Sequence, residues 1–187
     1  MKAIYILPFV LAIISILGCV AQEKVGSEPL NGYLPQGKDL PQGFRMIAAI
    51  NNSTPGINMT NEIVEFYGEK SISPADAVIG KYWWGRPGVD YDAKVTIVSL
   101  KDEDGAKAAV SNYLSNFNST NLIKLPGNIS LINPTTINGH DAIEIGKLHG
   151  DNTIQLLYLW NNKNLAILVE GNGNRTVSKE FATATEL

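Results

Sequence analysis

Four carboxylates are the groups in this chain best placed to do chemistry. Glu144 and Glu170 stand in runs of apolar residues, and Asp90 and Asp92 flank Tyr91 close to Gly88. Hydrolysis of a glycosidic bond needs two carboxyls about 5–10 Å apart across a cleft, one to give a proton and one to attack or to activate water. Glu144 and Glu170 meet that need only if adjacent strands bring them together. The alternative for Asp90-Tyr91-Asp92 is a turn between strands, where aspartate bonds its own backbone.

The two histidines, His140 and His149, flank one predicted strand. At ~3.3 Å per residue they lie about 30 Å apart, too far to share a metal or a catalytic dyad. Asp102-Glu103-Asp104-Gly105 lacks the remaining ligand positions of a calcium loop and reads instead as a helix start. No G-x-S-x-G or Ser-x-x-Lys nucleophile pattern occurs, and Gly171-Asn172-Gly173-Asn174 lacks the spacing of a phosphate cradle. Cys19 is the only cysteine, so no intrachain disulfide, zinc-thiolate site or cysteine nucleophile is expected in the domain that follows it. No metal and no cofactor are expected.

Recognition is the other chemistry in view. Tyr82-Trp83-Trp84-Gly85-Arg86-Pro87 gathers three aromatic rings and a guanidinium. Neighbours on a strand point to opposite faces, so Trp83 and Trp84 cannot share one core. An exposed member would stack on a sugar or a partner protein, with Arg86 adding a cation–π contact. The bland alternative is that another segment covers the second ring.

The start of the chain says where this chemistry would act. Lys2, an apolar run from Ala3 to Gly18 and then Cys19 form a secretory leader. Ile16-Leu17-Gly18-Cys19 resembles the lipobox of prokaryotic lipoproteins, a resemblance that implies lipid attachment at Cys19 and cleavage before it. Residues 3–21 are also almost long enough for an uncleaved membrane helix, and release as a soluble protein is the third possibility. Six Asn head N-x-[ST] sequons: Asn51, Asn52, Asn58, Asn118, Asn128 and Asn174. They are candidate N-glycosylation sites, and with the leader they resemble archaeal envelope proteins. The formal net charge of −3 argues against nonspecific nucleic-acid binding, which needs a basic footprint.

The elements that must position these residues come next. Residues 1–18 are expected to be a signal peptide or membrane anchor, 19–41 a flexible Pro/Gly-bearing tether, and 42–187 a single globular domain. Phe44, Met46, Ala48 and Ile50 alternate as on a strand with one buried face. Thr60–Gly68 suits helix or strand. Ser73-Pro74-Ala75-Asp76 reads as a helical turn. Strands are expected at Val78–Gly85, Ala93–Leu100, His140–Leu148, Thr153–Trp160 and Leu165–Glu170, the last three as a meander. Ala106, Ala109, Val110, Tyr113, Leu114 and Phe117 form one stripe of a helix over 102–117, with Asn112 and Asn116 on its wet side. Ser178 would cap a C-terminal helix.

The expected fold is α+β: an antiparallel sheet of about five or six strands, with the helix at 102–117 and the C-terminal helix packed on one face. The meander-and-helix pattern of Asn138–Leu187 resembles the PsbP-like group of small extracytoplasmic domains. Together these features suggest a membrane-anchored extracytoplasmic protein, non-enzymatic, that binds a protein or carbohydrate partner or serves the envelope. The alternatives are a carboxylate-dependent hydrolase and an accessory subunit of a membrane complex.

Overall fold

Short apolar runs rich in β-branched residues, broken by short Asn- and Gly-bearing turns, produce a sheet that dominates the molecule. The computed structural model describes residues 29–84, 92–120, 131–148 and 153–187, without the side chains of 118–120 and 148. Among the described residues there are seven strands: β1 Arg45–Asn51, β2 Pro74–Trp83, β3 Ala93–Leu100, β4 Ile132–Ile137, β5 His140–Leu148, β6 Ile154–Asn162 and β7 Leu165–Glu170. All pairings are antiparallel, in the order β1-β2-β3-β7-β6-β5-β4. Three α-helices accompany them: α1 Met59–Glu62, α2 Glu103–Thr120 and α3 Arg175–Thr183.

This corrects the expected α+β arrangement of five or six strands with both helices on one face. The fold is a seven-stranded antiparallel sheet buried on both sides. One face carries Val78, Tyr82, Val95, Ile97, Tyr158, Trp160, Ile167 and Val169, closed by α3 and by Leu30 and Leu34. The other carries Ile79, Val98, Leu157, Leu159 and Leu168, closed by α1, α2 and the 3-10 turn Val64–Phe66. In a central strand such as β7, successive residues Ala166, Ile167, Leu168 and Val169 therefore feed alternate cores. Among the described residues no helix is long and apolar enough to cross a membrane.

Several local expectations change for identifiable reasons. The strand absent from the sequence reading is β4, whose Pro134 argues against a central position. It is an edge strand, where a missing N–H costs little. Ser73–Asp76 is not helical. Pro74 opens β2 opposite Leu100, and a bulge follows before Asp76.

β1 does not keep one buried face. A register shift between Met46 and Ala48 turns the strand over, so Phe44 and Met46 join the α3-side core while Ile50 joins the α2-side core. Ile47, at the shift, is 48% exposed. Thr60–Gly68 holds the end of α1 and the 3-10 turn. The C-terminal helix starts earlier than expected because Asn174, not Ser178, caps it: Asn174 Oδ1 accepts from Val177 N–H at 3.2 Å.

The largest departure concerns the tether. Residues 29–41 are not a flexible spacer. Leu30 and Leu34 are buried in the α3-side core, with Tyr33 and Leu40 packed beside them. Two 3-10 turns, Leu30–Tyr33 and Gly37–Asp39, shape this strap. The Tyr82 hydroxyl holds it by donating to the Pro35 carbonyl at 3.1 Å. Tyr82 reaches that far because its ring lies back over Gly80, where a Cβ would stand 2.7 Å from the phenol oxygen. Burial raises the Tyr82 pKa well above the ordinary phenol range.

Candidate functional site

The sheet sorts the carboxylates before any substrate is considered. Glu144 on β5 faces the side closed by α3, where it bonds Tyr158 and Arg175. Glu170 on β7 follows Val169, which belongs to that same side, so its own side chain points to the α2 side. There it pairs with Lys94 at 2.5 Å. The two carboxylates cannot flank one substrate, and the paired-carboxylate reading fails for them. Asp92 is used locally: its Oδ1 accepts from Trp84 N–H at 2.6 Å, and its own N–H donates to Tyr82 O at 3.0 Å. Asp90, Arg86, His149, Asn128 and Cys19 lie outside the described residues. His140 opens β5 opposite Ile137, and Asp102 Oδ1 accepts from Gly105 N–H at 2.8 Å, capping α2.

The aromatic run does not form one platform either. Tyr82 is fully buried. Trp84 is half-buried and stacks on Phe44 at 5.0 Å, and Phe44 in turn stacks on Phe181 at 4.7 Å. Gly43 makes room for it, since a Cβ there would stand 2.9 Å from the indole nitrogen. Trp83 turns to the opposite face, where the Arg45 guanidinium lies 4.7 Å over its ring. Arg45 and Trp83 are direct cross-strand partners, a pairing that sequence order could not show.

The polar groups that converge on a hollow lie elsewhere, between β4 and α3. A pocket of about 340 Å³ is lined by Asn133, Pro134, Thr135, Glu144, Arg175 and Lys179. Glu144 forms its floor and is only 7% exposed. One carboxylate oxygen accepts from the Tyr158 hydroxyl at 3.1 Å, and the other pairs with an Arg175 nitrogen at 3.0 Å. Tyr158 stands directly opposite Glu144 across β5 and β6. Its pKa is raised, first by burial and then by the adjacent Glu144 charge.

Arg175 opens α3, and Lys179 follows one turn later on the same side. Lys179 Nζ donates to the Thr135 hydroxyl at 3.2 Å. Arg175 and Lys179 also border a second hollow of about 680 Å³ with Asp39, Thr176, Glu180, Thr183, Ala184 and Glu186.

Arg175 is therefore held without being hidden. Its side chain is 69% exposed, while the carboxylate that grips it is 10% exposed. A guanidinium fixed in this way presents its remaining N–H donors in one orientation, which suits a carboxylate or phosphate. Sequence reasoning found Glu144 but not Arg175 or Lys179. A basic i, i+4 pair on a short helix resembles any solvated face. Only the position of Glu144 beneath it singles it out.

A second charged cluster lies on the α2 side. Lys94 sits between Glu170 and Glu65, the latter at 3.7 Å. Burial lowers its pKa, against the opposing pull of Glu65. The three side chains tie the 3-10 turn Val64–Phe66 to the sheet. Among the described residues no His, Cys, Asp and Glu group could hold a metal ion.

Comparison with known proteins adds little to this geometry. No family model matches the chain, and no curated protein matches it. Among solved structures it is similar to the extracellular domain of PknH from Mycobacterium tuberculosis, with 11% identity and a TM-score of 0.42 over 87% of this chain and 90% of that one.

Proposed function

We propose that this protein is a membrane-anchored, extracytoplasmic binding module that uses the β4–α3 pocket to hold an acidic polymer of the cell envelope, such as a carboxylated glycan. The observation that carries the binding part is Arg175, exposed at the pocket mouth yet gripped from below by the nearly buried Glu144. Lys179 adds a second cation one turn away, and Thr135 and Asn133 supply neutral polar groups. Glycan recognition combines such charge contacts with hydrogen bonds to hydroxyls. Asp39 and Glu180 in the neighbouring hollow confine the favourable charge to the β4 side. The location rests on the leader, with Lys2, the apolar run and Cys19.

The binding test uses polygalacturonate as the acidic probe and dextran as the neutral one, titrated calorimetrically at low and physiological salt. The wild-type protein is expected to bind the first, more weakly as salt rises. The Arg175→Gln, Lys179→Gln double variant is expected to lose at least fivefold in affinity. Equal binding by the variant, or equal binding of dextran, would sink the proposal. Separately, a Cys19→Ser variant is expected to leave the membrane fraction if the anchor is a lipid, and to stay there if it is an uncleaved helix.

A further inference from the structure

Four of the six sequons have described side chains, and they differ in what their amide atoms are already doing. An asparagine offers its carbonyl oxygen and its Nδ2 nitrogen separately, and N-glycosylation uses only the nitrogen. At Asn174 the oxygen caps α3 through Val177 N–H at 3.2 Å. At Asn58 the oxygen caps α1 through Thr60 N–H at 3.1 Å. Both residues are exposed, as are Thr60 and Thr176, the hydroxyl residues of their sequons. In both, Nδ2 is left to solvent.

Asn51 and Asn52 are placed differently. Asn52 Nδ2 donates to Asp76 Oδ1 at 2.7 Å, and that oxygen also accepts from Ala77 N–H at 2.8 Å. The Thr54 hydroxyl of the Asn52 sequon is itself engaged, accepting from Asn51 N–H at 3.0 Å. Asn51 Oδ1 accepts from Ser53 N–H at 2.9 Å, as the capping oxygens do, but Asn51 is half-buried within β1, paired with Val78, and not exposed like Asn58 and Asn174. A sugar on either residue would have to displace the bond to Asp76 or crowd the strand end.

We infer that the chain is N-glycosylated at Asn58 and Asn174 and not at Asn51 or Asn52. The donor class is an oligosaccharide linked through phosphate to a lipid. Asn Nδ2 attacks C1 of its first sugar. The N–C1 bond forms, the C1–O bond to phosphate breaks with its electron pair leaving on the phosphate, and one amide proton is released. Oδ1 takes no part, so each helix keeps its cap after modification. The glycan at Asn174 stands beside Arg175, at the edge of the proposed binding pocket.

This inference rests on the extracytoplasmic location but not on the ligand. The test is glycopeptide mass spectrometry of the full chain purified from its native membrane, with the N-terminal peptide read in the same digest. Glycan mass is expected on the Asn58 and Asn174 peptides, with the Asn51-Asn52 peptide bare. Thr60→Ala and Thr176→Ala, which remove each sequon but leave its asparagine cap, should each remove one glycan mass without lowering the melting temperature of the deglycosylated protein. A bare Asn58 or Asn174, or a glycan on Asn51 or Asn52, overturns the assignment. Bare Asn58 and Asn174 on membrane-bound protein remove the assignment alone, whereas recovery of the native chain from the cytosolic fraction removes the location with it.

Discussion

Each face of the sheet is covered by two separate segments of chain, and the two covers are fastened differently. The α2 side is closed by the segment holding α1 and the 3-10 turn Val64–Phe66, and by α2, and side-chain amides join these two segments. Asn112 donates to Phe66 O at 3.0 Å and to Lys70 O at 2.8 Å, and accepts from Lys70 N–H at 3.0 Å. Asn116 donates to Glu65 O and Tyr67 O. The α3 side is closed by the strap, α3 and Leu187. Its joints are more varied: Phe181 stacks against Phe44 and Tyr82, the Tyr82 hydroxyl donates to Pro35 O, Arg175 pairs with Glu144, and Asn138 Nδ2 donates to Thr183 O at 3.0 Å and Leu187 O at 3.2 Å. Amide joints fix backbone to backbone and resist sliding. Aromatic joints depend on burial and fail together if one ring leaves. The candidate pocket lies on the second side, between β4 and α3.

Alkaline pH should break this comparison most completely. Tyr82, Tyr113 and Tyr158 all have raised pKa values, with burial the largest cause in each. A raised native pKa means that the unfolded chain releases these protons first. The stability so held is fully present below about pH 10, the unfolded value, and is lost as pH rises through the native values. Lys94, with its lowered pKa, opposes this but is a single group. Unfolding above about pH 10, followed by phenolate absorbance, should release all three phenols in one cooperative step. A separate early step from Tyr82 and Tyr158 would mean that the α3 side opens alone.

Phe181→Ala comes next, at about 3–5 kcal/mol, because Phe181 is fully buried and touches two other rings. Urea melts would measure it. Asn112→Ala should cost about 2–3 kcal/mol through the backbone groups it leaves unpaired. Hydrogen exchange should then show lost protection over residues 64–70 and unchanged protection in the strap. Gly80→Ala should cost about 1–3 kcal/mol by pushing the Tyr82 ring off its seat. Proteolysis should then cut within residues 29–41 first. Tyr82→Phe, the mildest change, removes only the bond to Pro35, at about 1 kcal/mol. If it loosens the α2 side as much as the strap, the two covers are not independent.

What could be read from the sequence follows the strength of each local signal. The β5-β6-β7 meander was legible because β-branched runs end in short turns. β4 was not, because Pro134 hid it. Yet the Asn138-Gly139 pair, with φ of 49° and 84°, is the dipeptide favoured in two-residue hairpins. The strap gave no signal, since Leu30, Leu34 and Leu40 occupy 3-10 and extended backbone with no period to detect. Polarity alone puts Asn112 on the wet side of α2, but it is 2% exposed and bonded to backbone. At the site, Glu144 was visible as a residue type. Its separation from Glu170 by the thickness of the sheet depends on strand order, which local pattern does not carry.

The strap has a last consequence, for reach. A tether running to residue 41 would let the domain range roughly 75 Å from Cys19, at up to ~3.6 Å per residue. With the chain packed from Leu30 onward, chain length alone keeps Pro29 within roughly 35 Å of Cys19. Held at the cysteine, the pocket would sweep only a thin layer next to its own membrane. Within that layer its effective concentration toward neighbouring molecules would be high, and a ligand far out in the envelope would have to come to it.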